Sequence, residues 1–366
     1  MLPVISADVR LGCVVLCQAT GLPLWRTTGL GDTCVNGAVF LPTNTLMMAV
    51  ADGGVARSTE LGTWTRPAER WPGTLASSSQ SEVILADLPA GSQAGATVCV
   101  YVTHWARGSN DLGTVLASCD DGVGWSVLGG WDGTAVINGL TPLNGSMAHM
   151  LVFDRRTSPG LASRGLFVSS MTGALFVGAA DAGTGTMRWS GLQLPSASIA
   201  THVLATTELA PDLLFLGRRD GLWVGTLSGL QAASWAQLPG LMSPTALAFL
   251  PGSAATVITL LVGSATNKWG SDAGLFRGSV PVATPAASAP FKLHYSLQSN
   301  ASTSISSEER TALGRMRVSS LLAMPATTRD PAKWRIIAGL QDGDYVSGRY
   351  RLLPSSHLLG CQTRHP

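Results

Sequence analysis

Short apolar runs alternate with polar turns along most of the chain, and the alternation recurs as a phrase. The phrase consists of a short apolar run, a turn, a glycine with a second short run, a polar hairpin and then an aromatic residue, most often tryptophan. It occurs in Leu46–Pro67, Gly113–Trp131, Gly165–Leu192, Leu213–Leu238, Val257–Val280 and Arg335–Leu353. Turn signals recur about every 8–12 residues and no long segment has a helical period, so the pattern predicts an all-β fold.

One more apolar run, ending in proline and small residues, precedes most copies of the phrase. Examples are Gly37–Asn44, Val83–Gly91, Ala246–Ser253 and Ser319–Thr328. Each unit therefore reads as four successive antiparallel strands. The tryptophans Trp64, Trp125, Trp189 and Trp235 are 61, 64 and 46 residues apart, a period typical of four-stranded blades with variable loops. Radial repetition of such sheets predicts a β-propeller.

The pattern favours six blades. Complete units end near Trp64, Trp125, Trp189, Trp235 and Tyr295, and the C-terminal segment supplies further strands. Gly12–Gly29 reads as the last two strands of a unit that ends at Trp25. Joining these N- and C-terminal strands would close the ring and remove its last open sheet edge. Seven blades, with the two ends forming separate units, is the alternative. In both versions residues 1–366 are predicted to be a single β-propeller domain.

Composition narrows the class of protein. Charged residues make up 13% of the chain, about half of the usual share, while apolar residues make up 45%. The chain can therefore bury a large core, and whole-chain disorder is excluded as an interpretation. The net charge is +2 without a lysine or arginine cluster, so we do not predict a nucleic-acid partner.

One segment has the length and hydropathy of a membrane-spanning helix. This segment, Thr245–Gly263, is uncharged, but Pro251 and Gly252 divide it and its second half is rich in β-branched residues. We predict two buried strands joined by a turn and no membrane span. The N-terminal stretch lacks a basic region before its apolar residues, so an intracellular or organellar location is favoured over secretion, with the compartment left open.

The six cysteines do not have metal-ligand spacing. They are Cys13, Cys17, Cys34, Cys99, Cys119 and Cys361. We expect them to be buried free thiols that behave as small apolar groups, although the sequence leaves their pairing open. The sequons at Asn144 and Asn300 matter only in a secreted chain. Phosphate-loop, nucleophile-elbow and zinc-protease motifs are absent, and we predict no metal and no cofactor.

Ser118 to Trp125 fits the pattern S-x-D-x-G-x-x-W at every position. It resembles the Asp-box, or BNR repeat, of the sialidase-like β-propeller superfamily, and degraded copies occur near Glu60, Asp181 and Gly225. The resemblance implies a hairpin between the third and fourth strands of a blade, on the rim opposite the ligand face. Aspartate can accept N–H groups of its own turn and glycine supplies a positive φ, so Ser118, Asp120, Gly122 and Trp125 are predicted to be structural.

The resemblance does not carry a sialidase active site onto this chain. Such an enzyme would need three arginines around a carboxylate, a tyrosine nucleophile paired with glutamate and an aspartate acid/base. The chain has four tyrosines, and two of them, Tyr101 and Tyr345, alternate within apolar strands and are predicted to lie in the core. An inverting glycosidase needs only two carboxylates about 6.5–9.5 Å apart, so this class remains the alternative function.

The turns between the second and third strands of the blades are predicted to share a face with the connections between blades. This face would carry the candidate binding residues Trp105, Arg107, Asp111, Arg218, Arg219, Asp220, Trp269, Asp272 and Asp342. The simpler interpretation of Asp52 and Asp220 is turn chemistry, because Asp-Gly is a common hairpin pair. The loop from His104 to Asp111 is longer than a hairpin needs, so we expect it to contribute to recognition.

These observations predict a non-catalytic propeller that acts as a scaffold or protein-interaction module. It would dock a macromolecular partner through its loop-bearing face, with a protein as the expected partner and carbohydrate as the second option. The alternative is a glycoside hydrolase of the Asp-box superfamily that uses paired aspartates of that face. A secreted receptor-like propeller is a third hypothesis. The oligomeric state is not predicted.

Overall fold

The computed structural model describes eighteen segments of the chain. They are residues 35–50, 54–60, 63–65, 79–87, 98–106, 113–131, 136–137, 148–159, 163–170, 173–181, 186–194, 199–228, 231–250, 256–264, 274–296, 316–327, 330–342 and 350–352. The chain divides into two compact units, Met1–Leu192 and Gln193–Pro366. The prediction of a single domain stays a prediction.

The first unit contains three antiparallel sheets whose strands follow one another in chain order. Sheet 1 consists of β1 (Val35–Phe40), β2 (Leu46–Val50), β3 (Gly54–Glu60) and β4 (Thr63–Thr65). Sheet 2 consists of β5 (Ser79–Asp87), β6 (Cys99–Ala106), β7 (Gly113–Ser118), β8 (Ser126–Trp131) and a short fifth strand, β9 (Val136–Ile137). Sheet 3 consists of β10 (Ala148–Asp154), β11 (Gly165–Ser170), β12 (Leu175–Ala180) and β13 (Met187–Gly191).

The second unit repeats the same plan. Sheet 4 consists of β14 (Thr201–Thr207), β15 (Ala210–Arg218), β16 (Gly221–Ser228) and β17 (Gln231–Leu238). Sheet 5 consists of β18 (Pro244–Phe249), β19 (Val257–Ser264), β20 (Gly274–Pro281) and β21 (Lys292–Ser296). Sheet 6 consists of β22 (Met316–Thr327), β23 (Asp330–Asp342) and β24 (Tyr350–Leu352).

The all-β prediction is confirmed. Within the described segments the only helical element is a single 3-10 turn, Pro285–Ala287. The apolar segment Thr245–Gly263 forms parts of β18 and β19, as its pattern predicted. Among the described residues no helix is long and apolar enough to cross a membrane. The predicted strands of Gly12–Gly29, with Trp25, lie outside the described residues.

The first strand of every sheet has the same irregularity. Its pairing with the second strand shifts register near its start, between Val35 and Gly37, Ser81 and Ile84, Ala148 and Met150, Thr201 and Val203, Pro244 and Ala246, and Val318 and Ser320. Register shifts of this kind are β-bulges, which bend the strand and re-aim its side chains. Their recurrence shows that the sheets of the described segments share this feature of their first strands.

Apolar faces of successive sheets pack together inside each unit. In the first unit Met47, Val55, Val100 and Leu116 belong to one buried cluster that sheets 1 and 2 share. In the second unit sheets 4 and 5 share a cluster of the same kind. The first strands also contact one another, β1 with β5, β5 with β10, β14 with β18 and β18 with β22. The low-charge strands therefore form a core between sheets, and the turns project from the two ends of each sheet.

An aromatic ring in the fourth strand, or directly before it, covers a glycine of the third strand in three sheets. Trp189 pairs with Gly178 and Trp235 pairs with Gly225, and each indole lies 2.8 Å from where a Cβ of that glycine would stand. In sheet 5 the ring of Phe291 takes this position over Gly278, at 2.6 Å from the same point. The sequence pattern placed the end of this unit at Tyr295, which lies in β21, four residues after Phe291.

Candidate functional site

The Asp-box turn forms between β7 and β8, which is the position that the resemblance implied. The Ser118 hydroxyl donates to Asp120 Oδ1 at 2.7 Å and accepts the Gly122 N–H at 2.9 Å. Asp120 Oδ1 also accepts the Gly124 N–H at 2.8 Å, while Trp125 donates through Nε1 to the Gly122 carbonyl. The side chains of Ser118, Asp120 and Trp125 therefore all form hydrogen bonds inside the turn.

Hydrogen bonding shifts the ionisation of the Asp120 carboxyl. Burial disfavours its charged form, but the hydrogen bonds from the Gly124 N–H, the Ser118 hydroxyl and the Val123 N–H outweigh that effect and lower the pKa of Asp120. Gly122 has φ of +79°, in the left-handed region that glycine tolerates. The structural roles of these residues stay a prediction.

The Asp-box turn of sheet 2 also contacts sheet 1. The Arg57 guanidinium donates through Nε to the Asp121 carbonyl at 2.6 Å. A Cβ on Gly122 would overlap the end of the Met47 side chain, which would have to shift to admit it. Trp125 precedes β8 and bonds within its own turn, whereas Trp189 and Trp235 lie inside fourth strands. Trp125 therefore occupies a different position in its sheet from Trp189 and Trp235.

A disulfide joins Cys99 to Cys119, with the two Cα atoms 4.1 Å apart. The expectation of free thiols is wrong for these two cysteines. Cys99 begins β6 and Cys119 follows the last residue of β7, so the bond extends the β6–β7 pairing by one step, next to the Asp-box. Cys13, Cys17 and Cys361 lie outside the described residues, as does Cys34.

The opposite end of each sheet carries the turn between its second and third strands, and sheet 4 shows this turn in detail. Arg219 and Asp220 form a two-residue hairpin between β15 and β16. Asp220 Oδ1 accepts the Trp223 indole N–H at 3.3 Å and lies 3.5 Å from Arg218 Nε. The Arg218 side chain is completely buried, whereas Arg219 is exposed. The candidate pair Arg218 and Arg219 is thus divided into an interior residue and a surface residue.

The connection from β17 to β18 lies against the same hairpin. Gln237 donates through Nε2 to the Asp220 carbonyl at 2.7 Å, and the Ser243 hydroxyl donates to the Arg219 carbonyl at 3.4 Å. Met242 projects beside them and is 48% exposed. In sheet 4, therefore, the turn between the second and third strands and the connection to the next sheet share one face. Its exposed side chains include Arg219, Gln237 and Met242.

Backbone register places two further candidates at the corresponding end of their sheets. Asp342 ends β23 opposite Met316, as Arg218 ends β15 opposite Thr201. Trp105 lies one residue before the end of β6. The positions of Arg107, Asp111, Trp269 and Asp272 lie outside the described residues. The structure therefore brings Arg218, Arg219 and Asp220 together and leaves the grouping of the other candidates a prediction.

The sequence did not predict the buried hydroxyl groups at this end of the sheets. Ser169, Thr201 and Ser264 are buried near the ends of β11, β14 and β19, and among the described residues their hydroxyl oxygens have no hydrogen-bond partner. A buried hydroxyl without a partner costs about 1–3 kcal/mol, so such groups can bind ordered water or a polar ligand. Serine and threonine are ordinary in strands, and nothing in the sequence distinguishes these three.

A charged cluster inside the first unit also escaped the sequence analysis. Arg164 holds Asp87 through two hydrogen bonds, Nη2 to Oδ1 at 2.5 Å and Nε to Oδ2 at 3.1 Å. The Arg164 guanidinium stacks 4.9 Å from the Phe153 ring, and Tyr101 meets that ring edge-on at 5.6 Å. Burial raises the pKa of Tyr101, the Asp87 charge adds to this effect and Arg164 opposes it. Tyr101 lies in the core, as its strand pattern predicted.

The cluster and the hairpin differ in what they can do chemically. The charged cluster is sealed in the interior, so its role is structural. The hairpin of sheet 4 presents a cation and a thioether to the surface, on a turn fixed by hydrogen bonds. Among the described residues no group of three or more histidine, cysteine or acidic side chains could hold a metal ion.

No protein-family model matches the chain, and no curated protein does. Several solved structures, in contrast, are similar to this chain. An ancestral GH74 enzyme is 13% identical with a TM-score of 0.45, over 86% of this chain and 37% of the enzyme. The GH74 xyloglucanase from Xanthomonas campestris is 14% identical with a TM-score of 0.46, over 84% of this chain and 43% of the enzyme. BBS1N in complex with ARL6DN is 11% identical with a TM-score of 0.45, over 83% of this chain and 76% of BBS1N. The chain thus spans less than half the length of the two GH74 enzymes that it matches.

Proposed function

We propose that this chain is a non-catalytic β-propeller that docks a protein partner through its loop-bearing face. The proposed face is formed by the turns between second and third strands and by the connections between sheets. Six sheets with one strand order and one recurrent bulge support the propeller with six blades. In this proposal the Asp-box lies on the other rim and maintains the fold.

The observation that carries the docking proposal is the fixed hairpin of sheet 4. Hydrogen bonds from Gln237 and Ser243 hold the hairpin carbonyls, so Arg219 and Met242 extend from a rigid support. Arginine and methionine are both enriched where proteins meet, because each combines flexible apolar surface with adaptable contacts. A support ordered in advance lowers the entropy that association costs.

The use of Asp220 also supports docking over catalysis. Asp220 Oδ1 accepts a hydrogen bond from the Trp223 indole N–H and lies near the Arg218 guanidinium. These contacts indicate that the carboxylate stabilises the turn. An inverting glycosidase would need it to act on a substrate or a water with a second carboxylate about 6.5–9.5 Å away. The hairpin interpretation of Asp220, stated from the sequence as turn chemistry, fits these contacts.

A cross-linking experiment on native lysate tests the proposal. The bait is the full chain, and the test variant is Arg219→Glu combined with Met242→Asp. The matched control is Leu209→Asp, because Leu209 is 42% exposed at the opposite end of the same sheet. We expect one protein to be captured by the unchanged chain and by the control and to be lost from the test variant. Arg218 is left unchanged because its buried charge would confound folding with binding.

Two results would overturn the proposal. In the first, the test variant captures the same proteins as the control. In the second, the purified chain hydrolyses aryl glycosides and loses that activity on exchange Asp220→Asn, which would establish the glycoside hydrolase instead.

A further inference from the structure

In sheet 5 two cations lie directly opposite each other on β20 and β21, the third and fourth strands. Arg277 on β20 pairs with Lys292 on β21, and both side chains are exposed. Like charges at directly opposed positions of an antiparallel pair destabilise the sheet. Among the described residues neither cation forms an ion pair, and the whole chain contains only three lysines. The unfavourable pair therefore has no compensation within the described fold.

Strand β21 is the outermost strand of its sheet. Within the described segments no strand pairs with its other side, so its outward N–H and C=O groups are positioned to accept another strand. Leu293 follows Lys292 and therefore points to the other face of the strand, where it pairs with Phe276 and is 46% exposed. The edge thus presents cations on one face and an apolar side chain on the other.

We propose that β21 binds an acidic peptide that adds to sheet 5 as a further strand. A bound strand with alternating acidic and apolar residues would place its carboxylates beside Arg277 and Lys292 and its apolar side chains beside Leu293. Addition of a strand to a sheet edge draws affinity from main-chain hydrogen bonds and specificity from alternate side chains. The peptide would supply the negative charge that the Arg277–Lys292 pair lacks.

The two positive charges also determine which strands do not bind to this sheet edge. A lysine on an edge strand ordinarily prevents edge-to-edge association, and a second copy of β21 would bring its own cations against these. An uncharged apolar strand would bury Lys292 without a partner. The same two charges attract an acidic strand. The edge therefore selects acidic strands over cationic or uncharged ones and does not repel every strand. This surface lies on different strands from the hairpin of Arg219, and the inference does not depend on the proposed function.

The test uses a fluorescein-labelled ten-residue peptide of alternating glutamate and valine and measures its anisotropy with the full chain at low salt. We expect saturable binding that weakens as salt is raised. The variant Arg277→Glu/Lys292→Glu should lose at least tenfold in affinity for this peptide. The matched control Arg188→Glu, an arginine of β13 whose side chain is 74% exposed, should bind as the unchanged chain does. Circular dichroism and thermal melting verify that each variant is folded.

Two further peptides separate this proposal from simple charge attraction. A lysine–valine peptide should bind the Arg277→Glu/Lys292→Glu variant and not the unchanged chain. A peptide of the same charge with proline at alternate positions cannot form the strand ladder and should bind at least tenfold more weakly. Equal binding of the proline peptide, equal binding by the double variant, or absence of binding by the unchanged chain would each overturn the inference. Loss of binding only in Arg188→Glu would also overturn it.

Discussion

Asp87 and Arg164 form a bidentate ion pair in the interior of the first unit, where neither side chain is more than 5% exposed. The pair joins the end of β5 to the residue that precedes β11, and Phe153 lies over the guanidinium. Asp87 is also directly opposite Cys99, the cysteine whose disulfide reaches the Asp-box. Charge, disulfide and turn therefore meet in one region of the first unit.

Loss of one partner of this ion pair should destabilise the fold strongly. Arg164→Leu leaves the Asp87 carboxylate buried without its cation, so we expect the free energy of unfolding to fall by about 3–5 kcal/mol. The control is Tyr101→Phe, which removes a buried hydroxyl that has no hydrogen-bond partner among the described residues and should change stability by less than about 1 kcal/mol. Urea denaturation followed by tryptophan fluorescence measures both. A loss below 1 kcal/mol in Arg164→Leu would refute the structural role.

The Asp-box should contribute stability that depends on pH. Because the folded chain lowers the pKa of Asp120, the ionised carboxylate stabilises the fold above the unfolded value of about 3.9, and this contribution disappears as the pH falls through the lower folded value. We expect Asp120→Asn to cost about 1 kcal/mol at pH 7, since the carboxylate is largely exposed and partly screened. Denaturation at pH 7, 5, 4 and 3 should show the difference from the unchanged chain shrinking below pH 4. Asp212→Asn, at an exposed position of β15, is the control, and a gap that stays constant with pH would contradict the assignment.

The disulfide should hold the second sheet together. The bond closes a loop of 20 residues, for which a restricted unfolded state predicts about 3 kcal/mol. We expect a reducing agent to lower the melting temperature of the unchanged chain and to leave Cys99→Ser/Cys119→Ser unaffected. Mass spectrometry of peptides alkylated without reduction should identify the Cys99–Cys119 bond. Two alkylated thiols at these positions would show that the bond is not formed, as expected in a reducing compartment.

The glycines beneath the tryptophan rings should not tolerate a methyl group. Gly178→Ala and Gly225→Ala each place a Cβ about 2.8 Å from an indole carbon, so we expect each to cost about 1–3 kcal/mol. Gly191→Ala is the matched control, since nothing lies within 4 Å of its Cβ position on β13. The indole emission of the two test variants should also shift as the ring moves. Equal stability of all three variants would show that the rings yield without cost.

The cation pair of sheet 5 should be a local weakness of the isolated chain. Lys292→Glu converts the like-charged Arg277–Lys292 pair into an ion pair, so we expect stability to rise by about 0.3–1 kcal/mol at low salt and the gain to diminish as salt is raised. The charge-neutral control is Lys292→Gln, which should give a smaller gain. Thermal melts at two salt concentrations measure both effects. A lower melting temperature in Lys292→Glu would mean that the repulsion is compensated elsewhere.

Periodicity was sufficient to predict the strands, because the signal is local. A run such as Leu213 to Arg218 needs an apolar face and a nearby turn, and both are visible in the residues themselves. The Asp-box could be predicted for the same reason, since all of its hydrogen bonds join residues at most four positions apart, apart from the Arg57 contact. The strands and the Asp-box turn could therefore be predicted from the sequence, because each depends on residues that are close together in the chain.

Contacts between distant residues could not be predicted in this way. Arg164 and Asp87 are 77 positions apart, and neither lies in a recognisable pattern. Phe291, the residue before β21, replaces tryptophan over Gly278, and only the folded structure shows that contact. The hairpin of Arg218 to Gly221 shows the same limit, because adjacent arginines look alike in the sequence. Only the fold shows that Arg218 ends a fully buried run of β15 while Arg219 lies in the exposed turn.

The pairing of a third-strand glycine with a fourth-strand ring has a consequence for how this chain can change over time. Replacement of Gly225 by a larger residue requires a smaller residue at position 235, because the Trp235 ring fills that space. Replacement of Trp235 by a smaller residue leaves β16 uncovered unless a larger residue stands at position 225. Substitutions at these two positions should therefore be inherited together in descendants of this chain. Sheets 3, 4 and 5 each carry such a linked pair, so their outer strands can exchange residues only by coupled steps.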